Sequence, residues 1–438
     1  MPNTKLRFAN RRRTLARLAG LAACAATSST GAPAEVASDA GEAPRSEGPT
    51  FDRGGPDAAR YAIDDGYPIP PRAQAIAEGN PWSPRYRVGA FSHLDAIYST
   101  RRIARADAPW LFKRSAGDVR YRLQGRQASL SEYVARHPVT GLVVVRDGHI
   151  LFEHYQYGRT DGDLLLAQSM TKSVTGLLIG TAIADGAIKS IDDTPATYVD
   201  GFKGSEFGRT PIRDLLHMAS GVDFGEEEDG ARDLNRLWRD MVLGAGLFKK
   251  GTIDSIKQFN RRSAPPGTRY HYASIEPDVL AVVLRYATRQ PLSTYLQDRL
   301  WRPIGAEADA TWLVDAEGFE VGHFGLSAAL RDYARVGRLL ACDGAWDGTQ
   351  IVPARWVVEA TSVRSSDQYL APGHAMQKFG YGYLVWLLAG SRRQFAFVGQ
   401  NGQRLCVDPQ SKLVMVHTAL EEIPEVWRVW DALVEQLG

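Results

Sequence analysis

The chain has 438 residues, 44% of them hydrophobic and 23% charged, with a formal net charge of +2. That balance is ordinary for a globular protein with a sizeable core and excludes a disordered or collagen-like chain. So small a net charge gives no electrostatic reason for a nucleic-acid partner, and no uncharged apolar run approaches the ~20 residues of a membrane-spanning helix.

Residues 1–34 read as an export segment. Lys5, Arg7, Arg11, Arg12 and Arg13 make a basic start, and small apolar residues follow, with Arg17 shortening the apolar run to 18–26. Leu21-Ala22-Ala23-Cys24 has the form of a bacterial lipobox, which would place a lipid on Cys24. The expectation is an exported protein, periplasmic or anchored to a membrane as a lipoprotein. Residues 35–80, rich in Pro, Gly, Ala, Asp and Glu without a hydrophobic period, predict a linker. Residues 81–138 bring back aromatic and apolar side chains, and predict an N-terminal extension lying on a main body; the whole of 81–438 is read as one catalytic domain.

Regular structure is expected from Gly141 onward. Residues 142–145 predict a strand, Asp147-Gly148 a hairpin turn, and 150–152 the returning strand. Helical spacing follows Ser169, with Val174, Leu177 and Leu178 on one face and Gly186 as a stop. Further helices are predicted over 212–218, 277–288, 292–300 and 328–340, with irregular sequence at 238–256. Two strands, 403–407 and 413–418, meet at an Asp408-Pro409 turn, and a last helix over 424–436 turns Val426, Val429, Leu433 and Val434 to one side. Hairpins at both ends with helical sequence between predict an α/β fold of α+β type. One antiparallel sheet would be built from both chain ends and flanked by helices, beside a mainly helical lobe. The cysteines are Cys24, Cys342 and Cys406, so loss or lipidation of Cys24 leaves one possible disulfide. No Cys or His spacing suggests a metal site.

The chemistry centres on Ser169-Met170-Thr171-Lys172. At a helix start, the hydroxyl and the amine share one face of the first turn. Serine needs a base to become a nucleophile, and burial together with the positive end of a helix dipole disfavours an ammonium there. The plainer alternative is a capping serine beside a solvated lysine. No Gly-x-Ser-x-Gly elbow occurs, so an α/β-hydrolase triad has no anchor. Tyr272 and Ser274, after Pro266-Gly267, could deliver a phenol to a site or simply pack as an aromatic cluster. Gly399-Gln400-Asn401-Gly402-Gln403, ahead of the last hairpin, could turn a backbone N–H toward a ligand or form a plain turn.

In order and surroundings these segments resemble the serine β-lactamase and penicillin-binding protein superfamily. The resemblance runs from about Gly141 to the C-terminus through Ser169-x-x-Lys172, Leu215-Leu216-His217-Met218-Ala219-Ser220-Gly221, Pro266-Gly267 with Tyr272-Ala273-Ser274, Gly325-Leu326-Ser327 and Gly380-Tyr381-Gly382-Tyr383. Within it, the chain looks most like the 6-aminohexanoate-dimer (nylon-oligomer) hydrolase and esterase branch, related to class C β-lactamases. The resemblance implies a β-lactamase-like fold and an acyl-enzyme on Ser169. Lys172 would act as base, Tyr272 would relay a proton to the leaving group, and Ser274 would hold the lysine–tyrosine network. The backbone N–H groups of Ser169 and Gln400 would bind the oxyanion. It implies no cofactor and no metal, and a small amide or ester as partner. Where class C β-lactamases and many penicillin-binding proteins have Lys-Thr-Gly, this chain has Phe397-Val398-Gly399. That puts β-lactam and peptidoglycan substrates in doubt, unless Arg392, Arg393 or Arg404 folds over the site. A β-lactamase or D-alanyl carboxypeptidase, and a silent binding protein on the same fold, are the rival readings.

Overall fold

The computed structural model describes residues 48–78, 81–115, 118–226, 232–244 and 251–438; the expected export segment and Cys24 lie outside the described residues. The described chain carries one large sheet. Its strands are β1 (Thr50–Phe51), β2 (Lys113–Arg114), β3 (Val139–Arg146), β4 (His149–Tyr155), β5 (Phe379–Tyr381), β6 (Trp386–Leu388), β7 (Phe395–Gly399), β8 (Gln403–Asp408) and β9 (Leu413–Ala419). The spatial order is β1-β4-β3-β9-β8-β7-β6-β5, with β2 also on β4. The hairpin between β3 and β4 turns on Asp147 and Gly148, both at positive φ, as a two-residue turn between twisted strands requires. At the centre β9 pairs with β3 from Leu413↔Arg146 to Ala419↔Val139. The two chain ends are thus stitched together as expected. The sheet is mixed, however, rather than wholly antiparallel, because β1 and β2 join β4 in parallel.

The longer helices among the described residues are α1 (Met170–Ala184), α2 (Ile275–Thr288), α3 (Leu330–Ala341) and α4 (Glu425–Leu437); α1, α3 and α4 pack on the sheet and α2 packs on α1. Strand alternation decides which face each residue serves. Leu405 and Val407 of β8 join the cluster around α1 and α3, while Cys406 points the other way, into the cluster under α4. In α4 the four residues predicted to share a face, Val426, Val429, Leu433 and Val434, are all buried. The segment 139–145 is buried on both sides, which is why it reads as a continuous apolar run. Cys342 and Cys406 are both free thiols.

Two features depart from the sequence reading. The described part of the expected linker is folded onto the body: β1 pairs with β4, and Tyr61 and Tyr67 are buried edge-on against Tyr157, at 5.5 and 5.9 Å between ring centroids. A second, four-stranded sheet of Thr100–Ile103, Ala310–Leu313, Leu326–Ala328 and Leu165–Leu166 has no counterpart among the predicted strands. This small sheet positions the chemistry, because Leu165–Leu166 runs straight into the turn that carries Ser169. Among the described residues no helix is long and apolar enough to cross a membrane.

Candidate active site

The turn Ala167-Gln168-Ser169 connects the small sheet to α1. Ala167 is tied to the neighbouring strand through its N–H to the Leu326 carbonyl, 2.8 Å. Gln168 takes φ +51°, an unfavourable conformation for a residue with a side chain, and is held there inside the fold. Ser169 is the residue that caps α1, yet its side chain makes no capping hydrogen bond. The polar side chains along α1 are spent elsewhere. Thr171 bonds the Gln168 carbonyl at 2.8 Å and receives the Leu326 N–H, Ser173 bonds the Leu384 carbonyl, and Thr175 bonds the Gly322 carbonyl. The helix is therefore pinned on several sides with the Ser169 hydroxyl left over.

Lys172 lies one helical turn on and is 2% exposed. Its Nζ donates to Ser169 Oγ at 2.7 Å and to the His323 carbonyl at 3.2 Å, and sits 5.0 Å from the centre of the Tyr272 ring. Among the described residues no carboxylate forms an ion pair with it. The alternative of a capping serine and a solvated lysine does not describe this geometry. His323 is itself fixed by α2: its Nδ1 lies 2.9 Å from both carboxylate oxygens of Asp278, and its N–H donates to the same group. Sequence reasoning missed this pair. Gly322-His323-Phe324 stands directly before Gly325-Leu326-Ser327, but nothing in the spacing joins residues 45 positions apart.

Tyr272 reaches the site on a loop braced by the 215–221 motif. His271 N–H donates to the Met218 carbonyl, Gly267 N–H to the Ala219 carbonyl, and Ser263 N–H to the Gly221 carbonyl. Gly221 has φ +70°, and a Cβ there would stand 1.9 Å from the Ala264 carbonyl oxygen, so only glycine fits. The Tyr272 ring packs against Tyr381 and Trp386. Ser274 is buried at the start of α2. Its backbone N–H donates to Glu226 at 2.9 Å, and among the described residues its hydroxyl makes no hydrogen bond to Lys172 or Tyr272, unlike the role the resemblance implies. Behind this loop Glu276 is fully buried. It accepts from the Ser220 hydroxyl at 2.6 Å, and burial first, then neighbouring Asp214, drives its acid well above the ordinary range. Burial likewise pushes Asp214 up to about 6 and His217 down to about 4.

The end of β7 completes the arrangement. A Cβ on Gly399 would stand 2.5 Å from the Ala167 carbonyl oxygen and 2.8 Å from the Gln168 Cβ, so this backbone lies hard against the residues that precede Ser169. Gln400 follows with its side chain exposed. Phe397 is buried in the cluster around α1. The three arginines considered as substitutes are engaged elsewhere. Arg392 pairs with Asp408, Arg393 with Asp343 and Thr361, and Arg404 with Glu422 and the Gly399 carbonyl. Among the described residues no cluster of His, Cys, Asp or Glu could hold a metal ion.

The beta-lactamase family model matches residues 127–419. The 6-aminohexanoate-dimer hydrolase of Paenarthrobacter ureafaciens is 27% identical over 361 residues, covering 78% of this chain and 88% of that protein. A protein of Escherichia coli O157:H7, provisionally named a D-alanyl-D-alanine carboxypeptidase, is 23% identical over 39% of this chain and 42% of its own length. Among solved structures, a Bacillus anthracis protein provisionally named a 6-aminohexanoate-dimer hydrolase superposes with TM-score 0.72 at 23% identity, over 82% of this chain and 95% of that one.

Proposed function

The chain belongs to the beta-lactamase family and is a hydrolase of the serine β-lactamase superfamily, and on that premise we propose that it cleaves amide or ester bonds of small molecules through an acyl-enzyme on Ser169. The observation that carries this reading is the 2.7 Å contact between Lys172 Nζ and Ser169 Oγ, with the amine buried and the hydroxyl free of capping duty. In the proposed cycle Lys172, as the free amine, takes the Oγ proton while Oγ attacks the carbonyl carbon. The oxyanion is held by the N–H groups of Ser169 and Gln400; no backbone carbonyl among the described residues accepts the Ser169 N–H. Tyr272 passes a proton to the leaving amine or alcohol, and water then frees the acyl group. Export through residues 1–34 belongs to the same reading, and cell fractionation of the expressed protein tests it.

Substrate charge separates this reading from a β-lactamase. Phe397 cannot pair with a substrate carboxylate, and Arg392, Arg393 and Arg404 have other partners. A charge-assisted hydrogen bond contributes roughly 1.5–3 kcal/mol, so a β-lactam should lose about one to two orders of magnitude in kcat/KM that an uncharged ester keeps. Two measurements decide: mass-spectrometric mapping of a fluorophosphonate adduct, expected on Ser169, and kinetics with nitrocefin beside p-nitrophenyl butyrate. An adduct on another serine refutes the nucleophile, and nitrocefin turnover above that of the ester refutes the substrate class.

A further inference from the structure

Arg404 is a costly residue to place where it is. It sits on β8 and turns away from α1, on the side of Cys406, with its guanidinium carbon 5.2 Å from the ring of Trp427 in α4. Its side chain is 1% exposed. A buried guanidinium is costly unless its donors are used; here Nε has no partner among the described residues, and both Nη groups are spent on one turn. Nη1 donates to the Gly399 carbonyl at 2.5 Å and to the Gln403 carbonyl at 2.8 Å, and Nη2 to Glu422. Glu422 accepts the Gly402 N–H with its other oxygen, at 3.2 Å. Gln403 Nε2 donates to the Gln400, Asn401 and Ala419 carbonyls. The turn is gripped from behind at both ends.

The grip falls on one particular peptide. The Gly399 carbonyl and the Gln400 N–H belong to the same planar amide, which is trans, so the two groups point in opposite directions. A charged donor on the oxygen fixes the plane and polarises the N–H on the far side. Gly399 itself lies against Ala167 and Gln168, next to Ser169. We infer that Arg404 is a positioning residue of the oxyanion site, holding the Gly399 carbonyl from behind the sheet so that the Gln400 N–H meets the tetrahedral intermediate. This rests on the reading of Ser169 as nucleophile and the Gln400 N–H as oxyanion donor.

The test uses the full chain and four proteins: wild type, Arg404→Met, Arg404→Lys and Glu422→Gln. Active sites are counted by fluorophosphonate labelling, and rates with p-nitrophenyl butyrate are expressed per labelled site. Inhibition by butylboronic acid, which forms a tetrahedral adduct on serine, reports oxyanion binding directly. Arg404→Met should lower kcat by roughly 10- to 100-fold, less than the 10²–10³ of deleting a donor outright. It should weaken the boronic acid by a similar factor and leave KM within about twofold. Arg404→Lys should recover part of the loss, and Glu422→Gln should show a smaller loss of the same kind. Unchanged kcat and boronic acid affinity per labelled site overturn the role of Arg404, as does a loss confined to KM or to the number of labelled sites. If Arg404→Met does not fold, the lysine and Glu422 variants decide by the same criteria. Wild-type protein that takes no label on Ser169 overturns the hydrolase reading, and this inference with it.

Discussion

A buried amine without a counter-ion is retained at a cost, and Lys172 is such a group. An apolar side chain of similar length removes the cost of burying that amine, whereas losing a general base costs 10²–10⁴ in rate. Lys172→Met should therefore keep or raise the melting temperature while turnover of p-nitrophenyl butyrate falls by about that factor; a variant that loses stability and activity together would make Lys172 a structural residue. Glu276 gives the opposite kind of handle. Burial holds its acid well above 4.5, so between 4.5 and its raised value the folded protein keeps a proton that the unfolded chain has released. The contribution of Glu276 to stability is thus full below about pH 4.5 and declines as pH rises through the raised value, each unit of displacement being worth about 1.36 kcal/mol. Glu276→Gln cannot ionise and keeps an acceptor for Ser220. Its melting temperature should match or fall below wild type at pH 4 and exceed it increasingly toward pH 9, and a difference that does not vary with pH would refute the argument.

At the scale of elements, the loop that presents Tyr272 depends on the turn at Gly221. Gly221→Ala forces a side chain into positive φ, costing about 1–3 kcal/mol, and drives its methyl into the Ala264 carbonyl, costing a further ~1–3 kcal/mol as overpacking. Turnover should fall more than the rate of fluorophosphonate labelling, since Ser169 and Lys172 do not ride on this loop; equal losses in both would show that the loop does not act through Tyr272. The same elements explain what can be read in advance. The β3–β4 hairpin, α1 and the β8–β9 hairpin are legible because each carries its own turn signal or period. β5 and β6 are not, being three residues each, too short for alternation to register. Residues 50–75 read as linker because Pro, Gly, Ala and Asp recur there without a hydrophobic period, while what orders them is two tyrosines packing on Tyr157, a contact no local pattern announces.

For the molecule as a whole, that N-terminal segment is structural rather than a tether. A chain beginning at residue 81 loses β1 and the burial of Tyr61 and Tyr67, each large side chain worth about 1.5–3 kcal/mol. It should unfold at a clearly lower urea midpoint than a chain beginning at residue 48, and equal midpoints would refute the claim. The site shows a similar division. Ser169, Lys172 and Tyr272 are legible because a short spacing or a short motif carries each of them, and the structure brings them together. His323 and Arg404 act through backbone carbonyls, which any residue type supplies, and Asp278 only holds His323, so no motif marks them.

The central pairing of β3 with β9 has a consequence for how the protein is made. Thr140 and Thr418, bonded across that pair, are 278 residues apart. A ribosome releases Ser169, Lys172 and Tyr272 long before it releases the strand on which the sheet closes. Contacts so distant along the chain are slow to form, and until they form, the edge of β3 waits unpaired and open to association with other chains. Nascent protein therefore carries Ser169, Lys172 and Tyr272 before β9 is there to close the sheet beside them.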